Sequence, residues 1–184
     1  MTAPTTIAII IPDLKGNGAE RVMLALASGF KEKNCNVHII IFKNHIELAV
    51  NDVIPINIFE HHYRWIPRAI RGKIVAPILD RFIEKVCGQK PNLVLSNLLP
   101  IDRILAYSKL NVFMVIHNTI SQELYLGTKK KKNQLADIYT KKPCICVSKG
   151  VMADFQSVFS DFNTKRITYI YNPIDINSLN NIEH

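Results

Sequence analysis

The stretch Ile7 to Val22, I-A-I-I-I-P-D-L-K-G-N-G-A-E-R-V, constrains this chain more than any other. A β-branched apolar run ends at Pro12, a loop carries Gly16 and Gly18, and an amphipathic helix opens at Ala19-Glu20. Two glycines between a buried strand and a helix N-terminus let a ligand approach the backbone where unpaired N–H groups face outward. Gly16, Asn17 and Gly18 thus form a candidate seat for an anion or sugar phosphate. The plain alternative is that any strand-to-helix turn in an α/β protein favours glycine, and G-x-G without a third glycine does not separate the two. Glu20 and Arg21 favour the functional reading. They open a helix whose apolar side is Val22, Leu24, Ala25 and Leu26, which turns both charges to the loop.

The rest of the chain repeats the alternation. A helix is predicted over residues 19–33, with Lys31 and Lys33 in the last turn where they complement the dipole. Val37 to Phe42 is an apolar run interrupted only by His38, suited to a parallel strand covered on both faces. A weaker strand spans 54–59, moved towards a sheet edge by Pro55. Between Arg64 and Cys87, apolar residues recur at helical steps with Pro67, Gly72 and Pro77 interrupting them. The pattern predicts an irregular first half, a firm helix from Pro77 to Cys87 and Gly88 as its cap. Strands follow over 93–97, 111–117, 144–147 and 166–171, with helices predicted over 101–109 and from Ser148 to Phe159 and mixed loop and helix over 118–142. Strand and helix alternating at this spacing predict an open, mostly parallel sheet wrapped by helices on both faces, a Rossmann-like α/β fold.

At 184 residues the chain is expected to be one domain over 1–175, with 176–184 a tail or the start of a linker. No apolar run approaches the roughly 18 residues a spanning helix needs, and no secretory signal is visible, so a cytoplasmic location is expected. Cys35, Cys87, Cys144 and Cys146 form no C-x-x-C pair and read as buried side chains. His61-His62 invites a metal reading that no third ligand at suitable spacing supports.

The net charge of +8 calls for an account, and nucleic acid, an anionic membrane surface and an anionic substrate are three candidates among which net charge does not choose. Nucleic acid is disfavoured, because the basic clusters lack interleaved aromatics or a reading motif. The segment with Trp65, Arg64, Arg68, Arg71 and Lys73 has an apolar stripe flanked by cations, which suits an anionic membrane surface. A core helix with a solvated basic face fits it equally. The run Lys129, Lys130, Lys131 and Lys132 is either a solvated loop or added charge for the same surface.

In a doubly wound sheet the ligand crevice lies at the carboxyl ends of the strands. Those ends are residues 15–18, Ser96-Asn97, His117-Asn118, Ser148-Lys149-Gly150 and Tyr171-Asn172, nearly all small, polar or basic after apolar runs. Four of these segments, G-N-G-A-E-R-V, V-I-H-N, V-S-K-G-V and I-T-Y-I-Y-N-P-I-D, together resemble the N-terminal half of the retaining glycosyltransferases of family 4. That family has the GT-B fold, two Rossmann-like domains facing across a cleft.

The resemblance implies an acceptor-side domain, acting with a C-terminal donor-binding domain in cis or trans, that moves a sugar from a nucleotide sugar to a glycan or lipid-linked acceptor. It places Gly16, Asn17, Gly18 and Glu20 beside the donor's phosphates and sugar, and His117 against the transferred sugar. Ser96, Asn97, Asn118, Ser148, Lys149 and Asn172 would line the cleft. Without the resemblance, His117 reads as a partly buried imidazole and Ser148 as a helix N-cap. No metal or other cofactor is implied, since helix N-termini and basic side chains offset the leaving diphosphate. The chain stops about ten residues after the crossing at Asn172-Pro173, so it is expected to be inactive alone. Its loop reads G-N-G where G-G is commoner. Two other classes remain at this stage: a non-catalytic acceptor- or membrane-binding module of the same fold, and an unrelated doubly wound phosphate-binding domain.

Overall fold

A computed structural model describes residues 4–50, 52–60, 63, 65–124, 129–160 and 166–173. His61, His62, Arg64 and the 176–184 tail therefore lie outside the described residues. In chain order the elements are β1 (Thr6–Ile11), α1 (Gly18–Glu32), β2 (Asn36–Ile41), β3 (Ile56–Ile58), α2 (Arg68–Cys87), β4 (Leu93–Asn97) and α3 (Leu99–Leu105). They continue with β5 (Val112–Ile116), α4 (Ile120–Leu124), α5 (Lys129–Tyr139), β6 (Cys144–Cys146), α6 (Lys149–Val158) and β7 (Ile167–Tyr169).

The strands form one sheet in the order β3-β2-β1-β4-β5-β6-β7, and every pairing is parallel. β1 is buried along its whole length, as a central parallel strand must be. Its residues divide by the two-residue period of a strand. Ile7, Ile9 and Ile11 pack with Met23 and Ala27 of α1, whereas Ala8 and Ile10 pack with Val75, Leu79 and Ile83 of α2. Further along that second face, Met114, Cys144 and Cys146 meet Leu135 of α5 and Phe155 of α6. Helices thus cover both faces of an α/β, Rossmann-like sheet.

The chain runs outward from β1 to β3 and then crosses back to lay β4 on the other side of β1. The carboxyl ends of β1 and β4 flank that reversal, the place where open α/β sheets leave a crevice. β3 stands at the sheet edge and begins just after Pro55, as the sequence predicts.

Two elements differ from expectation. The segment before Pro77 is not irregular: α2 is one helix of 20 residues that begins after Pro67 and carries Pro77 inside it. Proline removes one intrahelical hydrogen bond, and the apolar face of Val75, Ala76, Leu79 and Ile83 holds the helix on the sheet past that gap. Gly72 is not a breaker but a crossing point. A Cβ there would lie 2.4 Å from the Arg103 carbonyl oxygen and 2.6 Å from the Tyr107 ring, so glycine is what lets α2 and α3 approach. Gly88, with φ of 69°, closes α2 as predicted.

The second difference is α3, which ends at Leu105 and not near residue 109. Asp80 of α2 captures the turn: its carboxylate accepts from the Ser108 hydroxyl (2.6 Å) and the Lys109 backbone N–H (2.8 Å).

Candidate active site

After β1 the chain stays extended through Leu14, whose N–H donates to the His45 carbonyl (2.9 Å) and whose carbonyl accepts from Glu47 N–H (2.9 Å). This ties the loop after β1 to the loop after β2. Gly16 then turns with φ of 106°, a conformation that favours glycine. Glu20, in the first turn of α1, reaches back over this turn and is buried at 1% exposure. Its carboxylate accepts from the N–H groups of Gly16 and Asn17 (the latter at 2.8 Å) and from the Asn17 side-chain amide (2.9 Å). The N–H groups that the sequence places toward a phosphate are therefore partnered by a carboxylate. Arg21 Nε donates to the Gly16 carbonyl (3.0 Å), and the guanidinium stays exposed.

At the reversal point, β4 ends on Ser96 and Asn97, both fully buried. Asn97 Nδ2 donates to the carbonyls of Ile10 (3.2 Å) and Leu95 (3.3 Å). Those bonds fix the amide, and its Oδ1 is left as an acceptor 3.0 Å from His117 Nε2 at the end of β5. An oxygen acceptor requires the proton on Nε2, so Nδ1 carries the lone pair. Nδ1 has no hydrogen-bond partner among the described residues. Burial lowers the His117 pKa from 6.5 to about 4, so the ring is neutral at physiological pH. A neutral imidazole with a free Nδ1 accepts a hydrogen bond, for example from a sugar hydroxyl, and supplies no positive charge.

Ser96 points to a buried carboxyl that the sequence reading did not single out. Its hydroxyl donates to Asp102 of α3 at 2.6 Å, and Tyr139 of α5 donates to the other oxygen at 3.4 Å. Burial holds the Asp102 carboxyl well above the ordinary range, against the lowering effect of the Ser96 bond. Leu98, between Asn97 and α3, has φ of 69°. Such a backbone is strained for leucine by roughly 1–3 kcal/mol. Strand alternation turns Ser96 and Asn97 to opposite faces, so consecutive residues serve the Asp102 network and the His117 pair.

The remaining carboxyl-end residues lie where the topology puts them, along β5, β6 and β7. Asn118, Lys149 and Asn172 are exposed. Ser148 is the N-cap of α6, its hydroxyl accepting from Val151 N–H at 3.1 Å. Lys129 to Lys132 form the first turn of α5; Lys129 and Lys130 are exposed, while Lys131 donates to the Glu123 carbonyl and Lys132 is also partnered. Cys144 and Cys146 are buried, and burial pushes the Cys146 thiol up to about 12.

On the α2 side of the reversal point lies a cleft of about 690 Å³. Pro12 after β1, Phe42 and Lys43 after β2, the start of α2 and the residues of α3 line it, with Arg68, Arg71 and Arg103 among them. The sequence reading had Arg68 and Arg71 but missed Lys43 and Arg103. Lys43 follows the end of β2 and was open to the same carboxyl-edge rule, whereas Arg103 lies in the last turn of α3 and was not.

The fold and the polar carboxyl edge place the chain among Rossmann-like domains of the GT-B type, and solved structures agree. The chain superposes on the HepE protein of Anabaena in complex with UDP and glucose with a TM-score of 0.64 at 16% identity, covering 94% of this chain and 46% of that one. A glycosyltransferase from Rickettsia africae gives 0.66 at 14% identity, covering 100% and 47%. WaaG, a glycosyltransferase involved in lipopolysaccharide biosynthesis, gives 0.60 at 11%, covering 93% and 46%. The chain thus spans about half the length of these structures. A comparison with curated protein sequences returned no match. The family model of Glycosyltransferase Family 4 matches residues 16–178, and the chain belongs to that family.

Proposed function

We propose that this chain is the acceptor-side domain of a retaining glycosyltransferase that moves a sugar from a nucleotide sugar to a glycan or lipid-linked acceptor. The observation that carries this reading is the Family 4 match over residues 16–178, laid on a sheet whose carboxyl edge holds His117 in one tautomer. HepE and the other similar structures are about twice as long, which supports a donor-binding domain in cis or trans and little turnover without it.

In this reading His117 Nδ1 accepts a hydroxyl of the transferred sugar and fixes its orientation, and Asn97 keeps the ring in register. The leaving diphosphate faces helix N-termini and basic side chains, which offset its charge without a metal. Glu20 would hold the Gly16 turn in shape while the phosphates approach from the Gly18 side. Ser148, Lys149, Asn118 and Asn172 border the cleft toward the second domain.

We further assign the work to the cytoplasmic face of a membrane. No helix among the described residues is long and apolar enough to span one. However, Trp65 (80% exposed), Ile70 (45%) and Ile74 (43%) form an exposed apolar strip beside Arg68 and Lys73, the composition of an interfacial contact. Sedimentation with vesicles tests this part; equal binding to neutral and anionic vesicles would remove it. For the function itself, the native polypeptide is incubated with labelled nucleotide sugars and the glycan and lipid fractions of its source cells. Label in an acceptor supports transfer. Retained acceptor binding with no label from any donor would leave a binding module.

A further inference from the structure

The turn that joins β4 to α3 is built on a residue that does not favour it. Leu98 sits at φ of 69°, and a leucine stays there only where surrounding bonds over-determine the backbone. Asp102 supplies such bonds from both ends of the turn. Its backbone N–H donates to the Leu98 carbonyl (3.1 Å), beside the Ile101 N–H on the same oxygen (3.0 Å). Its carboxyl reaches back past Leu98 and takes the Ser96 hydroxyl at 2.6 Å. Residues 96–102 are thus closed by two bonds to one residue.

This strap is anchored on its far side. Tyr139 of α5 donates to the second carboxyl oxygen at 3.4 Å, and its ring packs edge-on against Phe155 of α6 with centroids 5.8 Å apart. Ser96, Asp102 and Tyr139 are all buried. An apolar side chain would fill that space without the desolvation that a carboxyl suffers. What the carboxyl adds is an acceptor with two oxygens, one for β4 and one for α5. Asn97 lies inside the strapped turn, between Ser96 and Leu98. Its amide bonds to the Ile10 and Leu95 carbonyls, at 3.2 and 3.3 Å, stand at the long end of the usual range, and the backbone that carries them is what the strap holds.

We propose that Asp102 is a positioning residue for the sugar transfer: by strapping the turn between β4 and α3 it keeps Asn97 Oδ1 on His117 Nε2, and so keeps Nδ1 as the ring nitrogen that meets the sugar. The assignment rests on the reading of His117 given above. Asp102 is enclosed and touches no substrate; its effect passes through Ser96 and the backbone to Asn97. Loss of either end of the Ser96–Asp102 bond lets Leu98 relax toward negative φ, which swings the preceding peptide and the Asn97 side chain with it. His117 then loses the acceptor that selects its tautomer, and the neutral ring becomes a mixture of Nε2–H and Nδ1–H forms. The Nδ1–H form cannot accept from a sugar hydroxyl. Burial favours the uncharged form of the Asp102 carboxyl. The strap therefore works through hydrogen bonds and not through charge, and asparagine can replace the aspartate: the amide oxygen accepts from Ser96 and the amide nitrogen faces Tyr139.

Nitrogen NMR of His117 at about pH 7.5 reads the tautomer in the full chain, without donor or turnover. Wild type should show Nε2 protonated and Nδ1 bare. Ser96→Ala and Asp102→Ala should each give ring nitrogens averaged between the two tautomers, and Asp102→Asn should restore the wild-type pattern. If circular dichroism shows Asp102→Ala unfolded, Ser96→Ala removes the same bond with the loss of one oxygen and carries the test. With the donor-binding domain supplied, Ser96→Ala should lower kcat by about tenfold or more while KM for the nucleotide sugar stays within about twofold, and Asp102→Asn should keep most of the wild-type kcat.

A purely structural role would lower stability and leave the tautomer as in wild type. A single Nε2–H tautomer in folded Ser96→Ala overturns the proposal, and so does an Asp102→Asn ring as mixed as that of Ser96→Ala. The two readings fail separately. A shifted tautomer with unimpaired turnover in His117→Ala overturns the transfer role of His117 and keeps the strap, whereas an unshifted tautomer with turnover lost in His117→Ala overturns the strap alone.

Discussion

Replacing His117 by glutamine tests the electrostatics of the carboxyl edge quantitatively. In the folded chain burial lowers this imidazole from 6.5 to about 4. The unfolded chain takes up the proton near the ordinary value and the folded chain does so only near pH 4, so between those limits the unfolded state holds more protons. Stability therefore falls as pH drops through that window, and above it His117 contributes no pH dependence. At 1.36 kcal/mol per pKa unit the whole depression is worth about 3 kcal/mol, of which about 2 kcal/mol is lost by about pH 5.

Glutamine cannot titrate and retains an amide N–H for Asn97 Oδ1. Urea unfolding of both proteins at about pH 7.5 and about pH 5 should show the wild type losing about 2 kcal/mol more than His117→Gln across that interval. Nitrogen NMR of the ring should show Nε2 protonated and Nδ1 bare throughout. A stability difference that does not change with pH, or a ring that titrates near 6.5, would refute the burial argument, and a neutral ring protonated on Nδ1 would refute the tautomer drawn from Asn97.

Three further expectations follow from the geometry. Glu20→Gln weakens the charge-assisted bonds to the Gly16 and Asn17 N–H groups, so hydrogen exchange at those two amides should accelerate and stability should fall by about 1–2 kcal/mol. Gly72→Ala forces a methyl to within 2.4 Å of a backbone oxygen of α3; despite the better helix propensity of alanine, urea melts should show a net loss of about 1–3 kcal/mol. Ser148→Ala removes the α6 cap and should cost about 1 kcal/mol with fraying confined to the first turn of α6, as exchange rates would report.

The features legible in the sequence were those with a local cause. Apolar runs such as Ile7 to Ile11, and Val37 to Ile41 with only His38 inside it, marked strands covered on both faces, and Pro55 marked the edge. The carboxyl-edge rule then collected His117, Asn97 and Ser148 from residues far apart in the chain. What escaped the reading depended on a second element. Gly72 and Pro77 look alike as helix breakers in one dimension. Only the approach of α3 shows that the first is a crossing point, and only the packing of α2 on the sheet carries the helix through the second.

Glu20 read as a charge turned to the loop, and it does face the loop. That it is buried there, with Gly16 and Asn17 donating to it, follows from the loop folding back under Leu14 and its tie to residues 45–48. Asp102 gave no signal, because an aspartate in the first turn of a helix is usually a dipole partner. Its partners Ser96 and Tyr139 lie 6 and 37 residues away. The arginine cleft likewise joins the ends of two strands to two helices, a combination that no single stretch contains.

The central claim is that this carboxyl edge is the acceptor side of a sugar-transfer site with His117 against the transferred sugar. The most direct test is the turnover of the native polypeptide, supplied with the donor-binding domain proposed above, for wild type and His117→Ala under saturating nucleotide sugar. The account predicts a fall in kcat of at least about 100-fold, with acceptor affinity and the folded structure retained. Turnover equal to the wild type would remove His117 from the site and contradict the account.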